Sequence, residues 1–432
     1  MDTSVILGLT VLFGSLFLYM MAFRFPVFFS MMLSCATYGL VFPGALPKSI
    51  IGSGIISGIN STTFVAILFY FLLGELLNNT GLGDRLIGFL RSLIGHIPGS
   101  LSHINIIASM VFAGVSGSST ADTASIGSMM IPMMKKEGYP PGYAAAVTEV
   151  SSIIGPIIPP SNGFIMCALV LGCSVRKLFL GGLIPGVLLG LFQLVMSTYL
   201  AHKRHFPCTK WMGWRAVWVN FKNGFGALVL PLIVMALLMT GIGTVVEIGA
   251  VSCLAAVIVS ICYGDFTIKQ FVRSLVNAAA SGARILAIIS ASGIFTWIIA
   301  SMGVTAAISK WISSINASQL MLVAACMLIF FVLGMLLETV VQHLVIMPMM
   351  TAALVAAQVD LIWFGVLASL VINIGLNTPP IGNLIYATAS IADCPATEVI
   401  KESLPYLIVM FLLCILILLF PPIVTFLPDL LG

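Results

Sequence analysis

This sequence is short of charge. Only 7% of its 432 residues are Asp, Glu, Lys or Arg, against about 25% in a soluble domain. With 60% hydrophobic residues spread along the whole length, no soluble fold could bury the apolar surface, and no stretch reads as a separate soluble domain. The net charge of +4 is small and its basic residues are scattered through loops, which excludes a nucleic-acid footprint. Catalytic signatures are missing too. There is no G-x-S-x-G, P-loop or G-x-G-x-x-G in a suitable context, and no His/Cys spacing for a transition metal. An enzyme, an organic cofactor and ATP hydrolysis by this chain are therefore not expected. None of the nine cysteines forms a C-x-x-C pair, and Cys35, Cys167, Cys173, Cys253, Cys262, Cys326 and Cys414 lie in apolar runs, so they read as small hydrophobes. The N-terminus lacks the basic region and small-residue cleavage site of a signal peptide and reads as a first span that stays.

What remains is an all-α polytopic membrane protein. A crossing helix needs roughly 20 apolar residues, and such spans fall near 4–22, 26–44, 62–79, 141–175, 179–200, 224–241, 244–262, 283–302, 360–392 and 403–426. Two other apolar stretches, 98–134 and 319–355, are each interrupted midway by polar residues and have no charged turn. Each reads as a re-entrant hairpin. The spans 141–175 and 360–392 contain Pro159-Pro160 and Pro379-Pro380. Proline removes a helical donor and clashes with the preceding turn, so both read as discontinuous helices.

These irregularities pair up. Ile131-Pro132-Met133-Met134 matches Met347-Pro348-Met349-Met350 at a shift of 216, and Gly155 with its Pro-Pro matches Gly375 with its own at a shift of 220. The chain is read as two copies of one unit: residues 1–200, a cytoplasmic linker at 201–222, and residues 223–432. Five crossings per copy would insert the second copy upside down, the inverted repeat of secondary transporters. Segments 44–60 and 264–281 read as helices lying at the interface. With the N-terminus outside, 14 of the 18 Lys and Arg fall on the inside, which favours N-out and C-out. The linker cluster of His202, Lys203, Arg204, His205, Lys210 and Arg215 reads as an anchor on anionic lipid.

The polar island G-V-S-G-S-S-T-A-D at 114–122 needs partners that hydrocarbon does not offer. Hairpin tips supply hydroxyls and carbonyls, and helix breaks supply carbonyls. A small monovalent cation such as sodium is served by neutral oxygens of this kind. Two cation sites are expected: one from Ser116, Ser118, Ser119, Gly155 and Pro159, the other from Leu337, Glu338, Thr339, Gly375 and Thr378. Small residues that only let helices pack closely are the alternative. The substrate site is expected between the tips, from Asp122, Ser161, Asn162, Asn377, Thr378 and Asn383, since free amides after a Pro-Pro break suit a carboxylate. Asp122 also reads as a cation ligand, a proton carrier or a helix cap. Glu149 lies inside the broken span, and His343 reads as a hydrogen-bonded histidine.

At these motifs the sequence resembles the large membrane subunit of tripartite ATP-independent periplasmic (TRAP) transporters. The resemblance is carried by Ala113-Gly-Val-Ser-Gly-Ser-Ser-Thr-Ala-Asp-Thr123, Ile131-Pro-Met-Met-Lys-Lys-Glu-Gly-Tyr-Pro140, Ile154-Gly-Pro-Ile-Ile-Pro-Pro-Ser161 and Ile374-Gly-Leu-Asn-Thr-Pro-Pro-Ile-Gly382. It implies a sodium-driven elevator in the bacterial inner membrane. It also implies a separate small four-helix membrane subunit and a periplasmic substrate-binding protein as partners, and an organic acid such as a C4-dicarboxylate or sialic acid as substrate. The residues 60–64 depart from the usual pattern. A stand-alone cation-coupled organic-anion symporter is the alternative, and a channel or scaffold subunit a more distant one.

Overall fold

A computed structural model describes residues 3–59, 62–78, 81–303, 318–379 and 382–432. Thr80, Lys310, Pro380 and the side chain of Ser116 lie outside the described set. Every regular element among the described residues is helical. In the first half these are α1 (Thr3–Met21), α2 (Val27–Val41), α3 (Lys48–Ile59), α4 (Thr62–Asn78), α5 (Leu82–Ile94), α6 (Ser100–Ser116), α7 (Ser119–Lys136), α8 (Pro141–Ser152), α9 (Asn162–Leu171) and α10 (Val175–Arg204). The second half holds α11 (Trp214–Thr240), α12 (Val245–Tyr263), α13 (Ile268–Ser301), α14 (Gln319–Gly334), α15 (Thr339–Ala356), α16 (Leu361–Leu376), α17 (Asn383–Ala392), α18 (Ala396–Leu419) and α19 (Pro422–Leu431). Among the described residues six helices are long and apolar enough to cross a membrane, or seven counting α4 with α5, which are bent by 65°.

The stretch 98–134 is a helical hairpin, α6–α7, turned at Gly117. The stretch 319–355 is a second hairpin, α14–α15, whose return helix carries a π-turn at Gln342–Ile346. The first Pro-Pro segment separates α8 from α9, and the helix is likewise interrupted between Leu376 and Asn383, separating α16 from α17. Pro159-Pro160 is a cis peptide.

Three elements differ from the spans read in the sequence. Residues 264–281 do not form a separate surface helix, because Ile268–Ser301 is one helix of 34 residues. The run Ala278-Ala279-Ala280 at the expected boundary consists of the strongest helix former, and nothing there stops the chain. The last span ends at Leu419, and Pro421-Pro422 redirects the chain into α19. Amphipathic α5 has no counterpart among the expected spans. It buries Leu86, Ile87 and Leu90, while Arg85 bonds Asp265 at 2.7 Å.

The helices sort into a densely buried part and a more exposed one. Every residue of α8 from Gly142 to Ser152 is buried, and so is every residue of α16 from Trp363 to Leu376. These two helices pack with α7, α14, α17 and α18. By contrast α1, α2, α11 and α12 expose Ile6, Leu18, Phe29, Leu232, Ile233 and Leu254, an apolar exterior that suits acyl chains. In this outer part α3 and α4 pack on α13, and α4 also packs on α12.

Candidate functional site

The tip of the first hairpin is built by two backbone choices. Gly117 takes the left-handed conformation at φ +58, which lacks a steric penalty only for glycine. Ser118 is extended and starts α7. A Cβ on Gly117 would lie 2.7 Å from the Pro160 carbonyl oxygen and 3.3 Å from the Asn162 nitrogen, so the tip is seated directly on the first helix break. The Asn162 N–H donates to the Gly117 carbonyl at 3.4 Å. Gly155, at the end of α8, faces the Ser118 carbonyl: a Cβ there would be 3.6 Å from that oxygen. Ser118, Gly155 and the Pro159 segment are thus neighbours, as one expected cation site requires.

The second tip has an equivalent seat. A Cβ on Gly375 would lie 2.8 Å from the Gly334 Cα and 2.9 Å from the Phe331 carbonyl, so α14 and α16 cross backbone to backbone. The Gln342 Nε2 donates to the Leu337 carbonyl at 3.2 Å. Glu338 is extended and precedes α15. The Thr378 hydroxyl donates to the Ile374 carbonyl at 2.8 Å, which leaves its oxygen lone pairs available.

Between the tips lies a cavity of about 280 Å³. Ser118, Ser119, Asn162, Glu338, Thr339 and Asn383 all line it. Its opposite wall is Phe71 of α4 with Arg284 and Ile285 of α13. The first wall therefore belongs to the hairpins and broken helices, and the second to the outer part. A larger void of about 430 Å³ lies farther along the same seam and contains neither tip.

Asn162 is 4% exposed, yet neither its side-chain oxygen nor its nitrogen has a hydrogen-bond partner among the described residues. Gln342 Oε1 is likewise buried and unpartnered. Orphaned buried polar atoms are costly, on the order of 1–3 kcal/mol each, and are rare without a purpose. The Gln342 acceptor, beside the Leu337 carbonyl and the Glu338 tip, fits an oxygen-ligated monovalent cation, and the free amide of Asn162 fits a polar solute in the cavity.

The remaining expected residues are placed elsewhere. Ser161 is fully buried and caps α9, its hydroxyl accepting from the Phe164 N–H at 3.1 Å. Asn377 donates to the Glu149 carbonyl at 3.2 Å. Asp122 does not line the cavity. It sits one turn into α7, where Ser118 holds the cap position, and is 1% exposed with both oxygens unpartnered among the described residues. The Ser109 hydroxyl beside it donates to Ser151 instead, at 3.1 Å. Glu149 is also fully buried and unpartnered at its carboxylate.

Sequence reasoning did not single out Phe71, Arg284 or Asn373. Asn373 closes a chain of hydrogen bonds between the tips. The Ser119 hydroxyl donates to Asn373 Oδ1 at 2.9 Å, and Asn373 Nδ2 donates to the Ser369 carbonyl at 2.8 Å. The Ser369 hydroxyl meets His343 Nε2 at 2.9 Å, and His343 Nδ1 meets the Thr339 carbonyl at 2.8 Å. A carbonyl only accepts, so Nδ1 carries the proton and Nε2 accepts from Ser369. An asparagine within an apolar span was the available signal for Asn373. For Arg284 it was an arginine at the edge of one.

A multi-pass helical membrane protein with paired hairpins and paired broken helices around a cavity that both hairpin tips line is built as a solute transporter. The family described as "Tripartite ATP-independent periplasmic transporter, DctM component" matches residues 14–423, and this chain belongs to it as a large permease. Among similar proteins, the sialic acid TRAP transporter large permease SiaM of Vibrio cholerae is 30% identical over 94% of this chain and 95% of its own length. The 2,3-diketo-L-gulonate TRAP transporter large permease YiaN of Escherichia coli is 29% identical over 88% of each. The C4-dicarboxylate TRAP transporter large permease DctM of Rhodobacter capsulatus is 28% identical over 98% of this chain and 99% of its own. The crystal structure of the YdaH transporter of Alcanivorax borkumensis superposes with a TM-score of 0.65 over 85% of this chain and 87% of that one. Its identity is 12%, so that likeness concerns the fold.

Proposed function

We propose that this chain is the transport subunit of a sodium-driven TRAP importer for a carboxylate solute, such as a C4-dicarboxylate, sialic acid or a related organic acid. The observation that carries the reading is the cavity itself. Both hairpin tips line one wall, and helices of the outer part line the other. Sodium binds where each tip meets its helix break, at Ser118, Ser119 and Gly155 on one side and at Leu337, Glu338, Thr339, Gly375 and Thr378 on the other. Ser116 and Pro159 complete the first set. Asn162 and Asn383 meet the substrate, with Ser161, Asn377 and Thr378 shaping the breaks behind them. Ions and substrate are coupled because each stabilises the same closed arrangement of the tips.

The densely buried part then slides as a rigid body past the outer part, in an elevator cycle. The chain lies in the bacterial inner membrane with its N-terminus outside, in keeping with the Lys/Arg distribution. A small four-helix membrane subunit borders the outer helices, and a periplasmic binding protein delivers the substrate. The carboxylate class is supported by the acids named for the relatives, and sodium by the oxygen ligands at the tips, hydroxyls and carbonyls at the first and these with the Glu338 carboxylate at the second. Reconstitution into liposomes with and without the binding protein tests this. Uptake is expected only with all three components and an inward sodium gradient. Uptake of free substrate by this chain alone would instead support a stand-alone symporter.

A further inference from the structure

We propose that Arg284 is the carboxylate anchor of the cavity, and that it is carried by the outer part, so the substrate's anionic group is held only while the two parts stand in the register seen here. The proposal rests on the carboxylate reading above. Arg284 lies halfway along the 34-residue α13. An arginine within a helix long and apolar enough to cross a membrane calls for a partner or a function. Its guanidinium bonds the Ala280 carbonyl at 3.3 Å and the Ser281 hydroxyl at 3.2 Å, both on its own helix. No carboxylate forms an ion pair with it among the described residues. It is exposed and lines the cavity opposite Asn162 and the two tips. A guanidinium fork with donors to spare is matched to a carboxylate in geometry as well as charge.

The surroundings make Arg284 distinctive. The cavity adjoins a void of about 240 Å³, with which it shares Phe71, Ser118 and Thr120. That void in turn shares Glu75 and Ala121 with the larger one of about 430 Å³. Along this route the charged side chains are Arg284, Glu338, Glu75 and Asp84. Arg284 is thus the one cation lining the three voids among the described residues, and beyond the cavity the walls carry only acids. An anion has a single attractive point, and past it the lining disfavours re-entry.

The helix that bears Arg284 is tied to α4. Asn277 Nδ2 donates to Glu75 Oε2 at 3.1 Å, and Gly282 packs so closely on Leu68 that a Cβ would lie 2.1 Å from its Cδ2. Asn162, Ser119 and Thr339 stand on the other body. A carboxylate bonded to Arg284 therefore bridges the two bodies and loses that bond when they shift. Arg284 selects for an anion and times its release, while the tips bind the cation.

The test uses the purified full chain, wild type, Arg284→Gln and Arg284→Lys, followed by thermal unfolding in sodium chloride and in choline chloride. N-acetylneuraminate, succinate and 2,3-diketo-L-gulonate are titrated as probes, with succinamide as the uncharged counterpart of succinate. The expected result has four parts. At least one acid stabilises the wild type. Arg284→Gln weakens that acid tenfold or more, and Arg284→Lys weakens it less. Both variants keep the sodium-dependent shift, which shows that they are folded with intact tips. An acid that binds Arg284→Gln as tightly as wild type overturns the assignment and leaves the sodium-driven reading standing. No stabilisation of the wild type by any acid, or equal stabilisation by succinate and succinamide, counts against the carboxylate reading itself.

Discussion

Replacing Gly117 by alanine separates the role of the first tip from that of general helix packing. Two penalties add. A non-glycine residue in the left-handed conformation costs roughly 1–2 kcal/mol, and Gly117 sits at φ +58. The new methyl would also stand 2.7 Å from the Pro160 carbonyl oxygen. That neighbour is backbone and cannot rotate away, so the tip must lift off the break. Overpacking of this kind costs about 1–3 kcal/mol. Gly172 provides the control, because it has φ +67 but nothing within 4 Å of an added Cβ. Gly172→Ala therefore carries the backbone penalty alone and lies at the end of α9, away from the tip. The assay is thermal unfolding of the purified chain over a sodium titration. Gly117→Ala is expected to raise the sodium concentration for half-maximal stabilisation about tenfold, since each 1.4 kcal/mol lost at the site is a factor of ten. Gly172→Ala is expected to lower the melting temperature without moving the sodium midpoint. Equal sodium midpoints for Gly117→Ala and wild type would refute the claim that the tip and the break form one site.

Other consequences follow from the same geometry. Gly375→Ala places a methyl 2.8 Å from the Gly334 Cα and should destabilise the protein by about 1–3 kcal/mol and raise the sodium concentration for half-maximal stabilisation, both read by thermal unfolding over a sodium titration. Asn373→Ala removes the acceptor of Ser119 and the donor to Ser369. It should lower the Hill coefficient of sodium-dependent uptake, because the hydrogen-bond path between the tips is cut; an unchanged coefficient would show that the tips are coupled by another route. The Arg204–Glu402 pair, at 2.7 Å and partly exposed, should matter little. Glu402→Ala is expected to change stability by under about 1 kcal/mol, as measured by thermal unfolding.

What the sequence made legible follows from the solvent this chain inhabits. Polar residues and paired prolines stand out in apolar sequence because hydrocarbon offers no hydrogen bonds. That is why the turn at Gly117 and the breaks after Ser152 and Leu376 were readable as interruptions. The hydropathy signal that would have revealed α5 as an element is weaker. Its Asp84, Arg85 and Arg91 break the apolar run, and only its Leu86–Leu90 face marks it as an element. The continuity of α13 was obscured by the polar residues in its first half, although its alanine run favours helix.

Within the site, the tip residues and Asn162 announced themselves by chemistry. Two further features depend on residues far apart in the chain, and a third on the phase of one helix. Ser119 and Asn373 are 254 positions apart. Arg284 faces the tips only because α13 packs against α4. Asp122 is turned toward Ser109 of α6 by the phase of α7, which starts at Ser119. One turn into that helix, its carboxylate is carried away from the cavity that its neighbours Ser118 and Ser119 line.

The central claim is that each tip is a sodium site. Its most direct test is substrate uptake over a full sodium titration in wild type, Ser119→Ala and Thr339→Ala, reconstituted with the partner subunits. Each substitution is expected to shift the half-maximal sodium concentration upward and to reduce the steepness of the curve. If both variants follow the wild-type sodium curve, neither tip binds sodium and the account fails.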